Sequence, residues 1–151
     1  MVLYKDFKVG DLFRLKSIRQ IPRGFVPELK EDGEYPYLTQ KTGGSYGVNG
    51  YMDETDEIEL VEEPMIVTGV DNVANGVMYW WDKPFYANKM LGLINENLNR
   101  ERAQYIITAL LKMYMGFDYN NKINMKIVRE TVIQLPVKTL EDTEPDWEYM
   151  K

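Results

Sequence analysis

The sequence contains no cysteine and no histidine, and its only serines are Ser17 and Ser45. Thiol nucleophiles, disulfides, serine–histidine–carboxylate triads and the common zinc sites are therefore excluded. General acid–base work could fall only to Asp, Glu, Lys or Tyr, and a metal could be held only by carboxylates. No apolar run reaches the roughly 20 residues that a membrane-spanning helix needs. The start, "MVLYKDFKVGDLF", carries charge where a secretory leader would be apolar. A cytoplasmic protein with no membrane segment is expected, and the missing cysteine agrees with a reducing compartment. A binding domain is favoured over an independent enzyme.

The 151 residues are 44% hydrophobic and 13% aromatic, enough for a folded domain with a sizeable core. Net charge is −6, but it is unevenly spread. Seven acids and no base lie between Asp53 and Glu63, and five acids and no base between Glu141 and Glu148. Of the 24 acids, twelve fall in these two stretches, leaving twelve against all 18 bases elsewhere. A basic face on an acidic protein is feasible.

Turn and period signals predict an α+β fold: a mixed, mostly antiparallel twisted sheet with hairpins, and one main helix packed on it. Gly10-Asp11 reads as a turn before a strand bearing Leu12, Phe13 and Leu15. Residues 19–34 read as loop, and "YPYLT" as a strand with Pro36 at its start or on an edge. Asn49-Gly50 carries the signature of a type I′ turn. "DETDEIELVEE" reads as a solvated strand or hairpin, and Pro64 separates it from "MIVTGV". A meander is expected over 70–94, with turns at Asn75-Gly76 and at Asp82-Lys83-Pro84. In "NLNRERAQYIITALLKMYMG", Ala103, Ile106, Ile107, Leu110, Leu111 and Tyr114 form one apolar stripe, which predicts a helix over about 99–115. Asn97 or Asn99 could cap its start and Gly116 end it. "INMKIVRET" predicts a short helix and "VIQLPV" a closing strand, and the acidic tail is expected to lie on the surface, anchored by Trp147.

Two motifs resemble chemistry without supplying it. "PDWEYMK" has the residue types of a PD…ExK metal nuclease, but Asp146 and Glu148 are adjacent on one strand face and the lysine is misplaced. "KTGGSYGVNG" lacks the Gly-Lys-Ser/Thr ending of a phosphate loop, and no helix follows it. "YPYLTQKTGGSYGVNGY" instead suits groove recognition of duplex DNA. Its glycines allow close approach of main-chain N–H groups to phosphate, its polar side chains match base edges, and no acid interrupts it. A plain glycine-rich surface hairpin has the same composition.

Several segments, taken in order, resemble the target recognition domain of a type I restriction–modification specificity subunit. "FKVGDLFRL" is similar to that family's opening strand, and "YPYLTQKTGGSYGVNGY" to its PY-(V/I/L)-T…NG segment. "EPMIVTGVDNVANGVMYWWDKPFYANKM" is similar to its central run, "NRERAQYIITALL" to its prominent helix, and "VIQLPV" with "EPDWEYM" to its ending. The resemblance implies that residues 1–151 form one domain reading half of a split double-stranded DNA target, with no catalysis and no cofactor of its own. It implies a partner methyltransferase (modification) subunit acting on adenine, a restriction subunit, and possible self-association. It also implies that a spacer helix would begin at the acidic extension 141–151.

The candidate DNA contacts are Thr39, Gln40, Lys41, Thr42, Ser45, Tyr46 and Asn49 in the opening segment. Lys83, Asn88 and Lys89 come from the second turn region, and Asn120, Asn121 and Lys122 from the loop after the main helix. Lysines would neutralise phosphates; Gln40 and the asparagines would suit adenine edges. Tyr79, Trp80, Trp81, Phe85 and Tyr86 are expected to pack inside more than to stack on bases. The rival from another class is a protein–protein adaptor that uses these aromatic hairpins and an acidic docking face; a carboxylate-metal hydrolase is a third reading.

Overall fold

The structure, a computed structural model, describes residues 1–39, 48–69, 78–114 and 124–150. In chain order the described elements are β1 (Leu3–Lys8), α1 (Val9–Leu12), β2 (Arg14–Ile18), β3 (Tyr35–Leu38), β4 (Val48–Met52) and β5 (Met65–Gly69). There follow β6 (Met78–Trp81), β7 (Tyr86–Ala87), β8 (Met90–Ile94), α2 (Arg100–Met113), α3 (Met125–Glu130) and β9 (Val132–Val137). The expected α+β class holds, with the strands divided among three sheets. β1 pairs with β9; β2, β8, β5 and β6 form a four-stranded sheet in that order; β4, β3 and β7 form a third. All pairings are antiparallel except β3 with β7.

The four-stranded sheet is covered on both faces. Ile66, Met78, Leu91 and Leu93 join the main core with Ala103, Ile106, Ile107 and Leu110 of α2. Met65, Val67 and Met90 join a second cluster with Leu38, Phe85 and Ala87, between this sheet and the β4–β3–β7 sheet. Every residue of β5 is buried as a result, so its sequence shows no polar alternation.

α2 forms where the apolar stripe predicts it. The Asn99 side chain caps it, accepting a hydrogen bond from the Arg102 N–H at 2.9 Å. Burial of each large apolar side chain along the stripe contributes roughly 1.5–3 kcal/mol. Asn97 does not cap; its N–H donates to Asn95 Oδ1. Gly116 lies outside the described residues. Tyr114 closes the helix, and its hydroxyl shares a 2.9 Å hydrogen bond with Thr131 Oγ1 at the end of α3. α3 and β9 follow the sequence reading, with Asn124 capping α3 through the Ile127 N–H.

Other local readings are corrected. Gly10-Asp11 is inside the one-turn helix α1, not a turn. A Cβ at position 10 would stand 2.9 Å from the Arg129 carbonyl oxygen, so the glycine serves the close packing of α1 on α3. Asn49-Gly50 lies within β4, with Gly50 opposite Tyr37. The positive φ that Gly50 does adopt, +145°, sits beside a register shift between Tyr37 and Leu38, so the glycine serves an irregular strand pairing in place of a hairpin tip. Residues 53–60 form neither strand nor hairpin; Val61 makes only a bridge to Phe85. The stretch after β5 is no meander: β6 and β8 flank β5, while β7 leaves to join β3. The Asp82-Lys83-Pro84 bend is present, and Asn75-Gly76 lies outside the described residues.

The acidic tail packs inward further than expected. Trp147 meets Phe13 edge-on at 6.5 Å, and Met150 is buried in the main core. No helix forms over 141–150. Asp142 accepts hydrogen bonds from the N–H groups of Thr139 and Lys138 and from the Thr139 hydroxyl, while Lys5 Nζ donates to the Asp142 carbonyl at 2.7 Å. The Thr139 backbone N–H, first among these, holds the Asp142 carboxyl below its ordinary value. The folded chain thus binds this proton less tightly than the unfolded chain. Its contribution is complete above the usual carboxylate pKa of about 3.9 and fades as pH falls through the lower folded value. Asp142→Ala is expected to lower the melting temperature at neutral pH, with the gap to the parent closing in acid. A gap of equal size in thermal scans at neutral and strongly acidic pH contradicts this.

Candidate nucleic-acid interface

The β4–β3–β7 sheet arises because "YPYL" and "FYA" bury one face each against the second cluster. Tyr86 then ties the sheet to the acidic segment, accepting from the Thr55 N–H at 2.8 Å and donating to the Thr55 carbonyl at 3.0 Å. Tyr35 meets the Tyr86 ring edge-on at 5.8 Å. Burial pushes the Tyr37 hydroxyl above its ordinary pKa, so it stays neutral.

One end of this sheet gathers several of the predicted contacts. β3 ends at Leu38, followed by Thr39; β4 starts at Val48, followed by exposed Asn49; β7 ends at Ala87, followed by Asn88 and exposed Lys89. Gln40, Lys41, Thr42, Ser45 and Tyr46 belong to the segment joining β3 to β4 and lie outside the described residues, as do Asn120, Asn121 and Lys122. Lys83 is exposed but precedes β7, so it lies toward the opposite end of that strand from Lys89.

Asn88 works as a clasp. Its N–H donates to the Leu38 carbonyl at 3.2 Å, and its Oδ1 accepts from the Ile21 N–H at 2.9 Å. A bidentate adenine contact needs both ends of the amide. Asn88 Oδ1 is thus already engaged within the fold. Lys89 N–H donates to the Arg19 carbonyl at 3.1 Å, and Lys89 adopts φ +51°, alone among described non-glycine residues in being left-handed. Such a conformation costs of order 1 kcal/mol or more in a non-glycine residue, and surrounding contacts must hold it. Through these bonds residues 19–21 join the same corner. The sequence marks them only as loop.

Charge is sorted around this corner. Arg14 pairs with Glu63, Lys16 with Glu59 at 2.9 Å and Lys30 with Asp53 at 2.7 Å, so the acidic segment 53–63 neutralises three bases along β2 and the following loop. The Lys30 hydrogen bond holds the Asp53 carboxyl below its ordinary value. All three pairs are solvent-exposed and add little stability. Their effect is on the pattern of surface potential.

The aromatic run is structural. Phe85 and Tyr86 are fully buried; Trp80 packs on the main core, and Tyr79 and Trp81 on the second cluster. The aromatics are thus packed against the two cores, fully for Phe85 and Tyr86 and in part for Tyr79, Trp80 and Trp81, which leaves less aromatic surface than the adaptor reading requires. A groove of about 1080 Å³ lies elsewhere, between α2 and the β1–β9 ribbon, lined by Tyr4, Tyr105, Ala109, Met113 and Val132 among others. It contains none of the predicted contacts. Among the described residues no cluster of three carboxylates could hold a metal. Residues 145–150 contain a turn, not the strand that the nuclease-like tail motif would need. Among the described residues no helix is long and apolar enough to cross a membrane.

The chain resembles known proteins in both sequence and fold. The chain is 26% identical over 155 residues to the specificity subunit of a type II restriction enzyme from Heyndrickxia coagulans, covering 99% of this chain and 42% of that protein. Its fold superposes on the S subunit of a type I restriction–modification system from M. genitalium with a TM-score of 0.62 at 16% identity, covering 89% of this chain and 35% of that one. It superposes on the HsdS subunit from Thermoanaerobacter tengcongensis with a TM-score of 0.60 at 13% identity, covering 88% and 33%. The chain thus spans about two fifths of the first relative, and about a third of each structural one. The family model described as the type I restriction modification DNA specificity domain matches residues 1–151, and the chain belongs to that family.

Proposed function

We propose that residues 1–151 act as one target recognition domain that reads half of a split double-stranded DNA site. It brings that site to a partner adenine methyltransferase and a restriction subunit, in the cytoplasm, and supplies no catalysis itself. The observation that carries this is the convergence of Thr39, Asn49, Asn88 and Lys89 on the sheet end from which segment 40–47 departs. Rigid strands fix the stems, and the glycine-rich, acid-free segment between them carries the reading side chains. The buried aromatics weigh against the adaptor alternative. Self-association would place two such domains on the two halves of one site.

Selection from a random duplex pool, with the cognate methyltransferase present, is expected to enrich a short motif. Lys41→Ala is expected to lower the slope of log affinity against log salt by roughly 0.9, the signature of one lost phosphate contact. Failure of the parent chain to be retained on bulk duplex DNA at low salt, with or without the methyltransferase, would overturn the proposal.

A further inference from the structure

We propose that Arg19 and Arg23 form a second phosphate-contacting wall beside the reading segment; this rests on the DNA-reading function above. Three observations converge on it. First, the bases of this region fall into two sets. Arg14, Lys16 and Lys30 are each paired with an acid of 53–63, whereas Arg19 and Arg23 are exposed and make no ion pair among the described residues. From Arg19 to Pro27 the chain contains no acid at all.

Second, the loop is fastened to the proposed DNA face. The Arg19 carbonyl accepts the Lys89 N–H, and the Ile21 N–H donates to Asn88 Oδ1. Asn88 in turn holds Leu38, the last residue of the strand that feeds segment 40–47. Two backbone strands and the Arg19–Ile21 loop are thus locked in one relation, so a duplex seated on the reading segment lies alongside the arginines.

Third, Arg23 is presented, not buried. The Phe25 N–H donates to the Pro22 carbonyl at 3.1 Å, which closes a turn with Arg23 and Gly24 at its tip and Gly24 at φ +91°. Guanidinium groups are suited to this place: planar, permanently charged and able to grip two phosphate oxygens at once. These contacts carry no base information and set position along the backbone.

The test uses the 151-residue chain and a random-sequence duplex pool, with affinity measured across a salt series. The double variant R19A/R23A is expected to lower the slope of log affinity against log salt by about 1.8, two contacts at roughly 0.9 each. R19K/R23K is expected to retain most of the slope. The matched double variant R14A/K16A, which removes the same charge from paired positions, is expected to leave it unchanged. Parent-like thermal melts confirm that the exposed substitutions fold. An unchanged slope in R19A/R23A, or an equal fall in both alanine doubles, overturns the inference while leaving the DNA-reading function intact. A parent chain that shows no salt-sensitive binding removes both.

Discussion

Phe85→Ala is expected to destabilise the domain by about 3–5 kcal/mol. Phe85 is fully buried in the cluster that separates the four-stranded sheet from the β4–β3–β7 sheet. Its ring lies 6.4 Å from that of Trp81. Its backbone exchanges two hydrogen bonds with Val61, at 2.9 and 3.0 Å, so the chain there cannot slide to fill a void. The truncation therefore costs the transfer energy of the ring plus the cavity it leaves. Against a typical total stability of about 5–15 kcal/mol, the variant stands near the unfolding threshold. Denaturant titration is the measurement: the midpoint should fall with the dependence on denaturant unchanged. A midpoint shift worth less than about 1 kcal/mol would mean that the two sheets can close over the gap. DNA retention should fall in step, because this cluster holds β7, and with it Asn88 and Lys89, against β3.

Trp80→Ala carries the second-largest effect, a loss of roughly 2–3 kcal/mol from apolar burial. Trp80 packs from β6 onto the main core, on the far side of the sheet from the proposed interface. Affinity for DNA per folded molecule should be unchanged. A variant that keeps its stability but loses binding would show that the indole stacks on a nucleotide. A companion substitution sharpens the reading. The Trp80 Nε1–H is buried with no hydrogen-bond partner among the described residues. Removing a buried unsatisfied donor recovers part of what the lost ring costs. Trp80→Phe should therefore be much milder than Trp80→Ala, and equilibrium unfolding of the pair separates the apolar contribution from the polar one.

Elements whose signals are local were legible in the sequence. α2 announces itself through a stripe at three- and four-residue spacing and a capping asparagine, and α3 and β9 through the segments "INMKIVRET" and "VIQLPV". Elements whose logic is tertiary were not. Gly10 and Gly50 each carry the mark of a turn, yet one is small because α3 passes close by and the other bends a strand pairing. Nothing within "FYA" says that it will run parallel to β3, since that pairing joins residues nearly fifty positions apart through a different sheet. The site was partly legible for the same reason. Its polar, acid-free composition is visible in one stretch, whereas the clasp of Asn88 on Ile21 depends on how three sheets meet. The sequence also suggested that acids and bases lie on separate faces. Three ion pairs show the acidic segment lying directly on bases, and what remains positive is decided by which ones it covers.

The pairing of β1 with β9 sets Leu3 opposite Val137, with almost the entire chain between the partners. During synthesis the first strand therefore emerges from the ribosome long before its mate exists. Closing so long a loop adds only a logarithmic entropic term to equilibrium stability, but such remote pairings slow folding. Until β9 arrives, Phe7 and Val9 lack part of the shelter they have in the finished molecule. The main core can therefore be completed only once β9 has been made, and a chain that lacks β9 leaves β1 without its partner strand.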